Sequence, residues 1–275
     1  MNTFLITTFN SRLYKDYAHK FIQTYLNTNQ EIPLVCYVDD DYDYPINKNI
    51  TYIKLYEAMP LLLDFKKRHK DKIIDIDSED FEGTQFLQNA VKFSHKVFAQ
   101  AHASYSNKKF LFIDADTVFK KKITKEFVEV FIPDDVMLTC YGRPNWVEAG
   151  VVGFNATHKD LSKIFFDLYL SYYLEDKIFK MKFKTDCHAL DETRRLMKKN
   201  TKYKEIDRGD GMDGHVIYRD KEISTFLDHK KGKRKYEKNT INKKLTSDQS
   251  SHYYGFFKKT KVIIKNYLFK FFNKK

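Results

Sequence analysis

The sequence predicts an α/β fold, with a mostly parallel central sheet in the first half and a more mixed arrangement in the second. Two observations carry this. Strand, helix and strand patterns follow one another between Thr3 and Val38, and the later run FLFIDADTVF ends an apolar strand in two acids, Asp114 and Asp116. Alternating strand and helix patterns read as βαβ units, which build parallel sheets.

Thr3 to Phe9 reads as the first strand. Arg12 to Leu26 then places Leu13, Tyr17, Phe21, Ile22 and Tyr25 at helical spacing. Pro33 to Val38 is the second strand and ends in Asp39, Asp40 and Asp41. Acids at that point suit a base or a ribose hydroxyl in a mononucleotide-binding unit, although an acidic loop can equally be solvated. Ile50 to Lys54 reads as a third strand, and the charged segment up to Gly83 takes no assignment.

Phe86 to Ser104 sets Val91, Phe93, Val97, Phe98 and Ala101 on one helical face. Lys96 lies off that face, either in solvent or as a cation aimed at a phosphate. Beyond the acid pair, Lys120 to Phe131 reads as a short helix and Val136 to Cys140 as a strand. WVEAGVVGFN reads as a glycine-containing turn running into a strand. Ile164 to Lys182 and Asp186 to Lys198 read as helices, and His215 to Tyr218 and Ile223 to Phe226 as strands.

With 275 residues and 42% hydrophobic content, the chain can bury a substantial core. A single domain over 1–250 is expected, divided into a nucleotide-binding half (1–118) and an acceptor half (119–250). Nine Gly and five Pro exclude collagen-like and low-complexity architectures. Cys36, Cys140 and Cys187 lack CxxC pairing, which argues against a disulfide framework or zinc site and for a reducing compartment. The opening MNTFLITTF lacks the basic and apolar regions of a signal peptide, so a cytoplasmic location is expected.

The formal net charge of +12 calls for an anionic partner. No zinc-finger, RRM or GxxG signature is present, so nucleic acid is not expected. The tail 251–275 interleaves aromatic residues with lysines, which excludes a spanning helix. It suits either an amphipathic helix on an anionic membrane surface or a terminal helix docked on the domain.

Residues two apart on a strand share a face, so Asp114 and Asp116 can converge on a divalent cation that relieves their repulsion. A solvated loop pair is the other reading. His229 opens HKKGKRK and can complete such a shell, a mixed donor set suiting Mn²⁺ better than Mg²⁺. Gly232 and Lys235 in that run can clamp a diphosphate, or the run can be a basic surface loop. Glu148 stands beside Gly150, where the backbone can approach a substrate. TDCHALDE opens a helix with Asp186, His188, Asp191 and Glu192. Asp186 can be an N-cap and the later acids a solvated face, or one of them can meet an acceptor or the reacting carbon.

Together these residues resemble the GT-A glycosyltransferases, nearest in layout to the retaining family that includes glycogenin and bacterial lipopolysaccharide galactosyltransferases. The resemblance runs from Thr7 to Lys235. IDADT, EAGV, DCH and HKKGKRK stand where that family has Asp-x-Asp, Asn-Ala-Gly-Val, Asp-Gln-Asp and His-x-x-Gly-x-x-Lys. The resemblance implies a Rossmann-like donor half, a nucleotide-sugar donor with UDP favoured, and a glycan or lipid-linked acceptor.

It also implies that Asp114, Asp116 and His229 hold Mn²⁺ (or Mg²⁺), that Gly232 and Lys235 contact diphosphate, and that Thr7, Thr8, Phe9, Asn10 and Asp39 surround the nucleoside. Lys96 and Ala115 join the donor-binding set, and Asp186, Glu148 and Asp191 are the catalytic candidates. Glu148 replaces the family's Asn, and His188 replaces the second Asp of its block. A Glu near the acceptor can serve as the base of an inverting reaction; retention is slightly favoured.

Two other classes compete. IDADTV also resembles the nucleophile motif of haloacid-dehalogenase phosphatases, with Asp114 attacking phosphorus and Asp116 as acid and base. That motif normally opens its fold, and GDGMD at Gly209 to Asp213 is one residue short of the matching spacing. A basic adaptor at a membrane surface explains the charge but leaves the acid pair and His229 without a purpose.

Overall fold

The computed structural model describes residues 3–73, 86–209, 211, 216–230 and 234. The strands among them are β1 (Thr3–Phe9), β2 (Leu34–Val38), β3 (Ile50–Lys54), β4 (Lys109–Ile113), β5 (Thr117–Phe119), β6 (Leu138–Gly142), β7 (Val147–Asn155), β8 (Glu205–Asp207) and β9 (Leu227–His229). Seven of them form one sheet in the order β3-β2-β1-β4-β7-β6-β8. β7 runs antiparallel to its neighbours β4 and β6, and every other pairing is parallel. The expected α/β fold with a mostly parallel central sheet is therefore present. β4 and β7 are buried along their whole length, as strands covered on both faces must be.

The helices are α1 (Ser11–Leu13), α2 (His19–Asn27), α3 (Leu55–Ala58), α4 (Pro60–Arg68), α5 (Ala90–Ser104), α6 (Lys125–Phe131), α7 (Lys159–Leu174), α8 (Asp186–Asn200), α9 (Val216–Arg219) and α10 (Ile223–Phe226). One core, with Phe65, Phe98, Phe165 and Leu190, gathers α4, α5, α7 and α8 over the sheet. A second, with Phe21, Tyr25, Val128, Phe131 and Ile223, gathers α2, α6 and α10. Side-chain caps start several helices: Asn10 for α1, Asn89 for α5, Thr124 for α6 and Thr185 for α8. Each satisfies a backbone N–H of the first turn that has no partner within the helix.

Several expectations change. The segment left unassigned after β3 holds α3 and α4, with Pro60 at the start of α4 where its missing N–H costs nothing. The helix of 164–182 ends at Leu174, where Asp176 takes a left-handed φ of 57°. Residues 147–150 form strand and not turn, since β7 pairs with β4 on one side and β6 on the other. Residues 216–219 and 223–226 are helical turns instead of strands. Asp220 accepts from the backbone of Glu222 and Ile223 and so favours a helical start over extension. His215 lies outside the described residues, as does the whole 251–275 tail. No helix among the described residues is long and apolar enough to cross a membrane.

Candidate active site

Parallel strands bring their carboxyl ends to one edge of the sheet, where ligands bind in open α/β folds. Asn10 after β1, Asp39 after β2 and Asp114 after β4 stand on that edge. The turn beyond β4 is held by Asp114 N–H donating to Gly150 O (2.8 Å) and Thr117 N–H donating to Asp114 O (3.0 Å). It leads into β5, which pairs antiparallel with β9 and sets Thr117 opposite His229. Lys230 N–H donates to Asp116 O at 2.7 Å and locks the register. Residues more than a hundred positions apart in sequence thus meet.

His229 is 2% exposed. Its Nε2 lies 2.8 Å from Asp116 Oδ1 and 3.6 Å from Asp114 Oδ2. One ligand atom from each of the three residues falls within 4.8 Å of the others. Gly150 leaves a notch in β7 that His229 and Asp114 fill, since a Cβ there would come within 2.6 Å of His229 Cε1 and 3.1 Å of Asp114 Oδ2. Two carboxylates and an imidazole gathered in this way fit a divalent cation, and the donor set suits Mn²⁺. Cys140, Glu205 and Asp207 also gather ligand-type atoms, but Arg194 lies against all three and supplies their cation.

Lys96 reaches the same place from α5. Its Nζ lies 2.6 Å from Asp114 Oδ1 and 2.9 Å from Asp186 Oδ2, and it donates to Ala149 O at 3.4 Å. Burial pushes this ammonium down, but Asp114 and Asp186 outweigh it and hold the pKa well above its ordinary value. Burial raises the Asp114 carboxyl; Lys96 and His229 pull it back, while Asp116 and Asp186 push it further up. Asp186 is 1% exposed and opens α8 just inside its cap, Thr185, so it is not the N-cap.

Glu148, 4% exposed, lies 3.5 Å from Arg143. Asp191 pairs with Arg195 (2.9 Å) and Arg194 (4.0 Å) on its own helix and is not among the side chains that meet Lys96. Of the residues expected around a nucleoside, Thr7 is fully buried in β1 with Oγ1 unpartnered among the described residues. Thr8 is half-buried beside it. Phe9 packs against the rings of Tyr14 and Tyr44, and Asn10 is occupied as the cap of α1. Asp39 Oδ2 accepts from Tyr56 (3.3 Å) and lies 3.3 Å from His95, while its Oδ1 is buried with no partner among the described residues. Asp40 has a structural task, accepting from Ser11 N–H and the Tyr44 hydroxyl, each at 2.6 Å.

Ala115 is buried between the two acids. Gly232 and Lys235 lie outside the described residues. Arg234 and Lys230, from the same basic run, fold back onto Asp228 at 2.8 and 2.6 Å. Gly150, expected to let the backbone approach a substrate, takes His229 and Asp114 against it. Tyr56 and His95, the supports of Asp39, carry no signal in the sequence.

No family model matches the sequence, and no curated protein matches it. Solved structures resemble the fold. Mouse xyloside xylosyltransferase 1 aligns with a TM-score of 0.46 and 11% identity over 75% of this chain and 85% of its own. A glycosyltransferase involved in glycosylation of the major capsid of PBCV-1 aligns at 0.42 and 11% over 92% and 98%. The galactosyltransferase LgtC aligns at 0.40 and 10% over 66% and 68%. At this distance the function has to be argued from the site.

Proposed function

We propose that the chain is a metal-dependent glycosyltransferase of the GT-A type, moving a sugar from a nucleotide diphosphate sugar, UDP-linked, to a glycan or lipid-linked acceptor. The observation that carries this is the meeting of Asp114, Asp116 and His229 at the Gly150 notch, at the carboxyl edge of the sheet and beside the Lys96–Asp186 pair. Asp114, Asp116 and His229 would hold Mn²⁺ or Mg²⁺, which when bound supplies positive charge against the diphosphate and its developing leaving-group charge.

The chain's own groups do the rest. Lys96 holds a fixed ammonium beside Asp114, set before any substrate arrives and so without reorganisation during the reaction. Asp186, held by that ammonium, is the carboxylate nearest the reacting sugar. Thr7 and Asp39 offer buried oxygens that can take the donor's hydroxyl or amide hydrogens. An inverting reaction needs a carboxylate ready to take the acceptor's proton. Glu148 and Asp186 are each held against a cation, Arg143 and Lys96, instead of being turned to an acceptor hydroxyl, which favours retention.

The phosphatase reading places Asp114 as nucleophile, yet Asp114 follows the fourth strand of the chain and lies against Lys96. The test is release of nucleotide from UDP-sugars with Mn²⁺. Wild type is expected to turn over at least one donor, and Asp116→Asn to lose that activity by about 10²-fold or more. Full activity in the presence of a chelator, or loss confined to small phosphate esters, would overturn the assignment.

A further inference from the structure

We propose that Trp146, Phe183 and His188 form a stacking surface for the terminal pyranose of the acceptor, an inference that rests on the transferase reading above. The three rings meet although they come from two distant segments. Trp146 and His188 have centroids 5.0 Å apart, Phe183 and His188 5.0 Å, and Trp146 and Phe183 6.4 Å. All three residues are half-buried, so the cluster is not sealed into the core.

Topology puts the cluster beside the candidate site. β6 runs parallel to the strands that end at the reactive edge, and β7 returns from it, so the 143–146 connection lies at the same edge as Asp114. Arg143 N–H donates to Trp146 O at 2.8 Å and closes that connection. Four residues further along β7, Gly150 abuts Asp114 and His229. From the other segment, His188 follows Asp186 by two residues, and Asp186 pairs with Lys96. Thr185 fixes this start of α8, its hydroxyl 2.7 Å from His188 Nδ1.

The chemistry fits a sugar ring. A pyranose presents a face of C–H groups bounded by hydroxyls, and sites for such ligands combine aromatic surface with a few placed polar groups. Arg143 lies over Trp146 at 5.5 Å and also pairs with Glu148, which sets charged groups at the border of the rings. His188 is held neutral, since burial pushes its pKa down to about 4, so it offers an uncharged ring face. A donor held near Lys96 and an acceptor on these rings would then meet beside Asp186.

Trp146 is the single tryptophan of the chain, so its emission reports on this place alone. The full chain, with UDP and Mn²⁺, is titrated with the methyl glycosides of glucose, galactose, mannose and N-acetylglucosamine. At least one should change Trp146 emission saturably, and Phe183→Ala should weaken that response at least tenfold. By calorimetry, Trp146→Phe should keep glycoside binding and Trp146→Ala should lose it. No saturable change with any of the four glycosides, or unchanged affinity in Phe183→Ala and Trp146→Ala, would overturn the proposal. The rise in melting temperature with UDP and Mn²⁺, read on the same wild-type samples, separates the two levels. A rise without a glycoside response removes the stacking surface alone, and no rise removes the transferase reading with it.

Discussion

Lys96 holds two carboxylates that would otherwise be unbalanced, the buried Asp186 and the half-buried Asp114. Removing one partner of a buried ion pair costs about 3–5 kcal/mol because a charge is left without compensation. Lys96→Met is therefore expected to lose stability of that order in urea titrations at neutral pH, with part of it restored by Mn²⁺. A variant as stable as wild type without metal would contradict the pairing. Gly150→Ala brings a methyl group against His229 and Asp114. It should weaken Mn²⁺ binding at least tenfold by calorimetry while costing about 1–3 kcal/mol of stability, the usual range for overpacking; unchanged metal affinity would show that the notch is not part of the metal site. His188 gives a pH signature. Its folded pKa, near 4, lies below the ordinary 6.5, so the unfolded chain binds the extra proton. Its contribution is complete above about pH 6.5 and is lost as pH falls toward 4, and His188→Gln should flatten the stability profile in that window alone.

At the scale of elements, strands ending in acids were legible because four or more apolar residues run straight into a charged turn, as in residues 110–113 before Asp114. Helix α5 was legible from its periodic apolar face. α9 and α10 were misread because isoleucine, valine and threonine favour strands locally, whereas the Arg208–Asp220 pair and the caps around Asp220 decide their shape. α4 was hidden because its buried residues are only Leu62 and Phe65 within a basic segment. The same limits apply to the site. Its acids and His229 could be read from residue type and spacing, but the partners of Lys96, the notch at Gly150 and the Tyr56–His95 support of Asp39 depend on which strands become neighbours. Thr185 joins the element scale to function, since it caps α8 directly before Asp186. Thr185→Ala should cost about 1 kcal/mol, as lost N-caps do, and should lower transfer rate more than donor affinity; equal kcat with a lowered melting temperature would restrict Thr185 to a structural role.

Across the whole molecule, the parallel strands carry the donor-side residues to one edge, and the antiparallel β7, entered just after Trp146, returns from that edge carrying Glu148 and Gly150 past Asp114. The small β5–β9 sheet then closes His229 over the acids. Strands from before and after residue 118 belong to the same seven-stranded sheet, so donor and metal sites are expected to be coupled. A net charge of +12 suits anionic substrates on such a frame. Binding to the folded state alone raises stability by mass action, which makes thermal melting of the full chain with UDP-sugars, with and without Mn²⁺, the most direct test. At least one UDP-sugar is expected to raise the melting temperature only when Mn²⁺ is present, and Asp116→Asn to abolish the rise. An equal rise without metal, a rise that survives in Asp116→Asn, or no response to any nucleotide sugar would contradict the metal-dependent transferase reading.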